Sequence, residues 1–268
     1  MKKNQIIYKI FDKTFKYSGL KNLYLKNKKN KNKCPVLHYH SLNPNINGIS
    51  KNLFEEHIKY LSSNYNIVTL KEALQKVINN CSNGDELVIT FDDGYEDNLT
   101  KAFPILSKYG GAATIFITTG LIGRRYLGQK MLNRNQIVEL AQNGIEIGSH
   151  AVNHINLTTI LEDQLKNELV ESKSKLENII GEEVSSFCYP YGRYDIKVVD
   201  MCKKIGYKSA CTLFHDFYIE IEKLLEIPRL TVDYYDTVKQ IQSKIDGDRH
   251  WVKTFYKIYY PDYKKYRN

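Results

Sequence analysis

Leu87-Val88-Ile89-Thr90-Phe91-Asp92-Asp93-Gly94-Tyr95 is an apolar, β-branched run that stops abruptly in two carboxylates and a glycine. The run reads as a buried strand. Successive strand side chains point to opposite faces, so two adjacent aspartates in mid-strand could not share one site. Gly94 follows at once and lets the backbone bend as the strand ends. Both carboxylates can then reach one cavity at the mouth of a sheet or barrel. Asp-Asp-Gly on its own is also an ordinary polar turn. The histidines further along decide between the two readings.

Outward from this stretch, strand-like and helix-like segments alternate. On the N-terminal side, Pro35-Val36-Leu37-His38-Tyr39-His40 is a short apolar strand ending in histidines. Ser50 caps a helix with the apolar face Leu53, Phe54, Ile58 and Leu61. Ile67 to Leu70 reads as strand, and Glu72 to Asn79 as helix. On the C-terminal side come a helix from about Asn98 to Lys108, bent by Pro104, and a strand from Ala112 to Ile117. A helix capped by Asn133 ends at Gly144, and Ile145 to Gly148 is a strand leading into Ser149-His150. Thr159 and Glu162 have capping-box spacing ahead of a long helix that stops before Gly181. Ser186–Tyr189, Lys208–Thr212 and Ile227–Val232 complete the strands, and a last helix runs from about Asp236 to Ile245. Such alternation argues for a parallel sheet with helices outside, doubly wound or closed as a barrel. No phosphate-cradling glycine fingerprint follows the early strands, which weighs against nucleotide binding. The polar motifs fall just after strands, the face where α/β barrels keep their active sites.

The 268 residues suffice for one large α/β domain with short extensions. The net charge of +9 is concentrated at the two ends. Clustered lysine there fits an anionic partner, such as a membrane surface, or a merely solvated terminus. Residues 4 to 24 carry Ile6, Ile7, Ile10, Phe11 and Phe15 at helical spacing among lysines. That segment reads as a helix packed on the domain or as one lying on a membrane interface. Asn27 to Lys33 reads as a solvated linker, and Trp251 to Asn268 as a basic, aromatic tail. The five cysteines are odd in number and lack a Cys-x-x-Cys pair, which fits free thiols in a reducing compartment. No signal peptide or membrane span is evident, so the expected location is cytoplasmic, with peripheral contact at the inner membrane face open through the N-terminus. No zinc finger, helix-turn-helix or aromatic-basic RNA motif supports a nucleic-acid partner.

Ser149-His150-Ala151-Val152-Asn153-His154 places two imidazoles four positions apart. On one helical turn, or in a tight loop after a strand, both can face one ion. A zinc-protease helix would carry glutamate after His150, but position 151 is alanine, so a base must come from elsewhere. Asp92 and Asp93 offer both missing parts: one carboxylate completes a His-His-carboxylate site, and the other stays free as base. Zinc or another divalent transition ion suits that donor set.

Thr90-Phe91-Asp92-Asp93-Gly94, Ser149-His150 to His154, and Tyr189-Pro190-Tyr191-Gly192 together resemble the polysaccharide deacetylase family with its NodB-homology domain. The resemblance is nearest to the branch acting on poly-N-acetylglucosamine, and it spans roughly Val36 to Ile245. It implies a distorted (β/α) barrel of about seven parallel strands. It divides the chain into a basic extension and linker (1–33), a catalytic domain (34–248) and a tail (249–268). It also implies metal-dependent removal of N- or O-acyl groups, usually acetyl from an amino sugar. In that pattern Asp92 is the general base, while Asp93, His150 and His154 hold one divalent ion, with zinc the first expectation. Tyr189, Pro190 and Tyr191 face the substrate, and the N–H of Tyr191 binds the oxyanion.

The sequence departs from the commonest pattern twice. The third motif usually begins with an arginine that orients the base, and here that position is Cys188. Arg229, in Ile227-Pro228-Arg229-Leu230, is the candidate replacement, against an ordinary surface role. The usual C-terminal Leu-x-His is not evident. His40 resembles the early histidine that serves as acid in the poly-N-acetylglucosamine branch, with His215 of Leu213-Phe214-His215 as runner-up. His38 reads as a satisfied core histidine. The substrate expectation is a carbohydrate, lipid-linked or nucleotide-linked or a glycan intermediate. A deformylase or other amide hydrolase, and a non-catalytic carbohydrate-binding relative, are the alternatives.

Overall fold

The computed structural model describes residues 32–46 and 48–247. The N-terminal amphipathic segment and the tail from 249 lie outside the described residues. Twelve strands follow in chain order: β1 (Asn32–Lys33), β2 (Val36–Tyr39), β3 (Asn66–Val68), β4 (Glu86–Phe91), β5 (Thr114–Ile117), β6 (Arg125–Tyr126), β7 (Gln129–Lys130), β8 (Glu146–Ser149), β9 (Ser186–Cys188), β10 (Ser209–Cys211), β11 (Tyr218–Ile219) and β12 (Leu230–Thr231).

Seven of them form one parallel path in the order β10-β9-β8-β5-β4-β2-β12. β3 lies against the first half of β4, and β5 takes the same edge further on. The two ends of the path are tied by one short segment. Ile227 bridges Cys211 of β10, and three residues later Leu230 pairs with Leu37 of β2. The sheet therefore curls into the distorted barrel expected from the sequence. β4 runs through its middle with every residue buried, which is why Leu87 to Phe91 is a continuous apolar run and not an alternating one.

Helices close the outside, and several begin at side-chain caps. Ser50 accepts a hydrogen bond from the Leu53 N–H at the start of helix Lys51–Ser62. Thr69 with Glu72, and Asn133 with Gln136, form complete capping boxes on helices Leu70–Ile78 and Arg134–Gln142. Each such cap contributes about 1 kcal/mol.

Three sequence expectations need correction. Helix Glu162–Ile180 starts at Leu161 without a side-chain cap, because the Thr159 hydroxyl donates to Asn156 O inside a preceding turn. The bent helix before Lys108 is a π-type turn, Asn98–Ala102, running into helix Phe103–Lys108, with Pro104 in its first turn where a missing N–H costs nothing. The last two residues of the supposed linker, Asn32 and Lys33, pair antiparallel with Tyr218 and Ile219. Among the described residues, no helix is long and apolar enough to cross a membrane.

Candidate active site

The sheet delivers its polar residues at the carboxyl ends of β2, β4, β8 and β9. At the end of β4 the chain turns sharply: Asp93 has φ +73° and Gly94 φ +84°. Two left-handed residues in succession break the strand's alternation, so Asp92 and Asp93 sit over the same cavity and not on opposite faces. Aspartate tolerates this region better than most side chains, and glycine enters it freely. Ala151, His154 and Tyr191 also have positive φ, at +62°, +52° and +60°. Backbone strain thus gathers in the three loops that carry the motifs, as it does where surrounding structure holds a functional geometry.

Asp92 is buried and fully clamped. Arg229 donates from Nη1 to Asp92 Oδ1 at 2.7 Å and from Nη2 to Oδ2 at 2.8 Å. The remaining donors of the guanidinium reach Thr90 Oγ1, Thr212 O and Cys188 Sγ. All five N–H groups are therefore used, which is what lets a charged side chain sit at 0 % exposure. The Cys188 thiol in turn lies 3.4 Å from Asp92 Oδ2 as a donor. Burial pushes the Asp92 carboxyl up, but the Arg229 charge and hydrogen bonds, with His38, outweigh it and hold the group well below the usual range. The position where the family has arginine is thus filled from elsewhere: the guanidinium comes from the seam segment Ile227–Thr231, and Cys188 packs beneath it.

Asp93, His150 and His154 form the second half of the site. Asp93 Oδ1 is 3.7 Å from His150 Nε2 and 3.3 Å from His154 Nε2. Their potential ligand atoms all lie within 4.8 Å of one another. The His150 Nδ1–H donates to Cys188 O at 2.7 Å, which fixes the tautomer and leaves the Nε2 lone pair toward Asp93. Asp93 Oδ1 is buried with no hydrogen-bond partner. Two imidazole nitrogens and an orphaned carboxylate oxygen around one point fit a divalent ion of the zinc type. In the metal-free chain, burial raises the Asp93 carboxyl to about 6 and lowers His150 to about 4.

His40 lies just past β2, exposed, with its ring 4.4 Å from that of His38. Together with Asp92, these two histidines form a second close group of ligand-type atoms. His215 lies in the loop after β10, outside the close His/Asp groups found among the described residues. Tyr191 is exposed and sets its ring edge-on to His154 at 4.6 Å. Tyr189 is fully buried, stacks on Tyr194 and donates its hydroxyl to Leu225 O, and Pro190 is buried as well. The Tyr189 ring and hydroxyl are thus engaged in packing.

Two neighbours are missed as site residues in the sequence, His38 because it reads as a core histidine and Tyr126 because it is not read at all. His38 is buried with Nε2 3.0 Å from Asp92 Oδ2, so it belongs to the site. Its spacing of two from His40 on a strand was the available signal. Tyr126, on the β6–β7 hairpin, brings its ring within 6.2 Å of His154. The hairpin turns through Leu127 and Gly128, both at positive φ, and Gly128 was its only clear mark.

The polysaccharide deacetylase family profile matches residues 79–210, the stretch that carries all three motifs. BC0361, a polysaccharide deacetylase from Bacillus cereus, is 31% identical and superposes with a TM-score of 0.71, over 80% of this chain and 69% of its own. The chain belongs to the polysaccharide deacetylase family. Another similar chain is YxkH of Bacillus subtilis, 37% identical over 183 residues, 67% of this chain and 64% of that protein. The match therefore spans slightly under two thirds of that relative's length. The poly-β-1,6-N-acetyl-D-glucosamine N-deacetylase of Staphylococcus aureus is 26% identical over 210 residues, covering 74% of this chain and 72% of its own.

Proposed function

We propose that this polysaccharide deacetylase family member is a metal-dependent hydrolase that removes an N-acetyl group from an amino sugar within a saccharide. The observation that carries the reading is the pairing of a clamped, ionised Asp92 with an incomplete Asp93–His150–His154 donor set beside it. The name of the S. aureus relative supports the amino-sugar substrate.

Amide hydrolysis needs an activated water, an oxyanion stabiliser and a proton for the leaving amine. When bound at Asp93, His150 and His154, a divalent ion supplies Lewis acidity that makes water a stronger acid and polarises the acyl oxygen. Asp92 accepts the proton from the attacking water. Its Oδ2 already meets Arg229 Nη2, the Cys188 thiol and His38, so Oδ1, with one guanidinium N–H, is the oxygen that takes it. The depressed pKa keeps Asp92 ionised at neutral pH but makes it a weak base, which suits a water already acidified. The Tyr191 N–H faces the oxyanion in this assignment, with its backbone held left-handed beside His154. His40 gives the proton to the departing amine.

Acetate and formate release from a panel of N-acetyl and N-formyl amino sugars, free, lipid-linked and nucleotide-linked, tests the reading. Acetate release by the zinc-loaded chain and its loss in Asp92→Asn are expected. Formate release alone would favour the deformylase alternative, and no release from any member would contradict the assignment.

A further inference from the structure

Strand β2 sends two imidazoles to the same face, His38 within it and His40 just beyond. His40 is exposed, whereas His38 is buried between its register partners, Thr90 on β4 and Thr231 on β12. His38 Nδ1 lies 3.5 Å from Thr231 Oγ1, and Nε2 lies 3.0 Å from Asp92 Oδ2. The second approach is close without meeting hydrogen-bond geometry, so Nε2 is a buried nitrogen set against the carboxylate and not yet bonded to it. The His38 ring also lies 4.4 Å from the His40 ring, tilted by 59°. One buried ring thus touches both Asp92 and His40.

We propose that His38 is a positioning residue that holds the Asp92 carboxylate and the His40 ring in one frame. The inference rests on the reading of Asp92 as base and His40 as acid. A neutral imidazole carries one N–H, and a carboxylate oxygen at 3.0 Å from Nε2 selects the tautomer protonated there. Nδ1 is then left to accept from the Thr231 hydroxyl. Burial, reinforced by the nearby Arg229 charge, pushes the His38 pKa down to about 3, so the ring is neutral across the working range. Being neutral, His38 adds no charge between the guanidinium and the proton that His40 must carry. It crowds Oδ2, already shared by Arg229 Nη2 and the Cys188 thiol, and so leaves Oδ1 as the open oxygen. An apolar side chain of similar size would fill the space, but it would bring no N–H against Oδ2 and would not orient the edge of His40.

Two variants separate positioning from packing. His38→Leu fills the volume without a donor, and His38→Gln returns an N–H near the place of Nε2. With zinc content and melting temperature unchanged, His38→Leu is expected to lower kcat by about tenfold or more while KM moves by less than about twofold. His38→Gln is expected to recover most of that loss. Wild-type kcat in His38→Leu, or equal losses in both variants, would overturn the proposal. Long-range proton–nitrogen NMR on histidine-labelled wild-type chain supplies a reading that needs no turnover. It should show the Nε2–H tautomer for His38, with its nitrogen shifts moving in Asp92→Asn; an Nδ1–H tautomer would overturn the proposal. If the wild-type chain deacetylates nothing on the panel, the deacetylase reading fails, and the tautomer result alone decides the place of His38.

Discussion

Asp92 and Asp93 are adjacent in sequence, but their surroundings are built on opposite principles. Around Asp92 the bonding is saturated: Arg229 uses all five N–H groups, and the Asp92 carboxylate lies among Arg229, Cys188 and His38. Around Asp93 the bonding is unfinished, with a buried oxygen that has no partner and two imidazoles turned toward it. The first arrangement is complete without a ligand, because an unpaired buried charge is too costly to leave. The second is strained without one, and a divalent cation is what its donors lack. In the function proposed above, the saturated carboxylate acts on protons and the unfinished one holds an ion.

Breaking the saturated half should have the largest effect. Arg229→Ala leaves the Asp92 carboxyl buried without its guanidinium partner, and is expected to lower folding stability by about 3–5 kcal/mol in a denaturant titration. It should also abolish turnover. A stability change under about 1 kcal/mol would mean that the clamp is not a buried pair in solution.

The unfinished half should respond in the opposite sense. Zinc at about a hundredfold over its dissociation constant is expected to stabilise the chain by roughly 2.7 kcal/mol, read as a rise in melting temperature. Asp93 makes a separable contribution to the pH dependence of the metal-free chain. Its pKa is raised by folding to about 6, so the folded chain binds more protons than the unfolded one between its ordinary carboxylate range and that value. The Asp93 contribution to stability should therefore fall as pH rises toward about 6, against the opposite contributions of His150 and His38, whose pKa values folding lowers to about 4 and about 3. Metal-free Asp93→Asn should be more stable than metal-free wild type at neutral pH, with the gap closing in acid. Equal melting curves at neutral pH would remove Asp93 from the strained half.

The smallest effect sharpens the boundary between the halves. Cys188→Ala removes one acceptor from Arg229 while leaving the pair with Asp92 intact, and should cost about 1 kcal/mol with zinc stoichiometry unchanged. Loss of zinc in this variant would place the thiol in the metal half instead, where its backbone carbonyl already supports His150.

The barrel was legible because its strands are short apolar runs separated by caps, glycines and prolines, each a local signal. The close grouping of Asp93, His150 and His154 was legible because loop residues after strands advertise themselves by being polar. What the sequence left open is directional. In strands buried on both faces, such as β4, period-two alternation no longer says which side chains meet the cavity. His38 could thus pass for a core histidine although it lies 3.0 Å from the Asp92 carboxylate. Tyr189, inside a recognised motif, could pass for a substrate contact although it packs on Tyr194. Arg229 stood against an ordinary surface role until the seam at Ile227–Thr231 showed that the sheet's two ends converge beside Asp92. The helix start at Glu162 was misread because Thr159 finds a local acceptor in Asn156 before the helix can use it.

Zinc stoichiometry, measured by isothermal titration and elemental analysis on wild-type chain and on Asp93→Asn, tests the division of the two carboxylates most directly. One tightly held zinc per wild-type chain, lost in Asp93→Asn and kept in His38→Leu, is the expected result. Zinc binding unchanged by Asp93→Asn, or no binding to the wild-type chain, would contradict it.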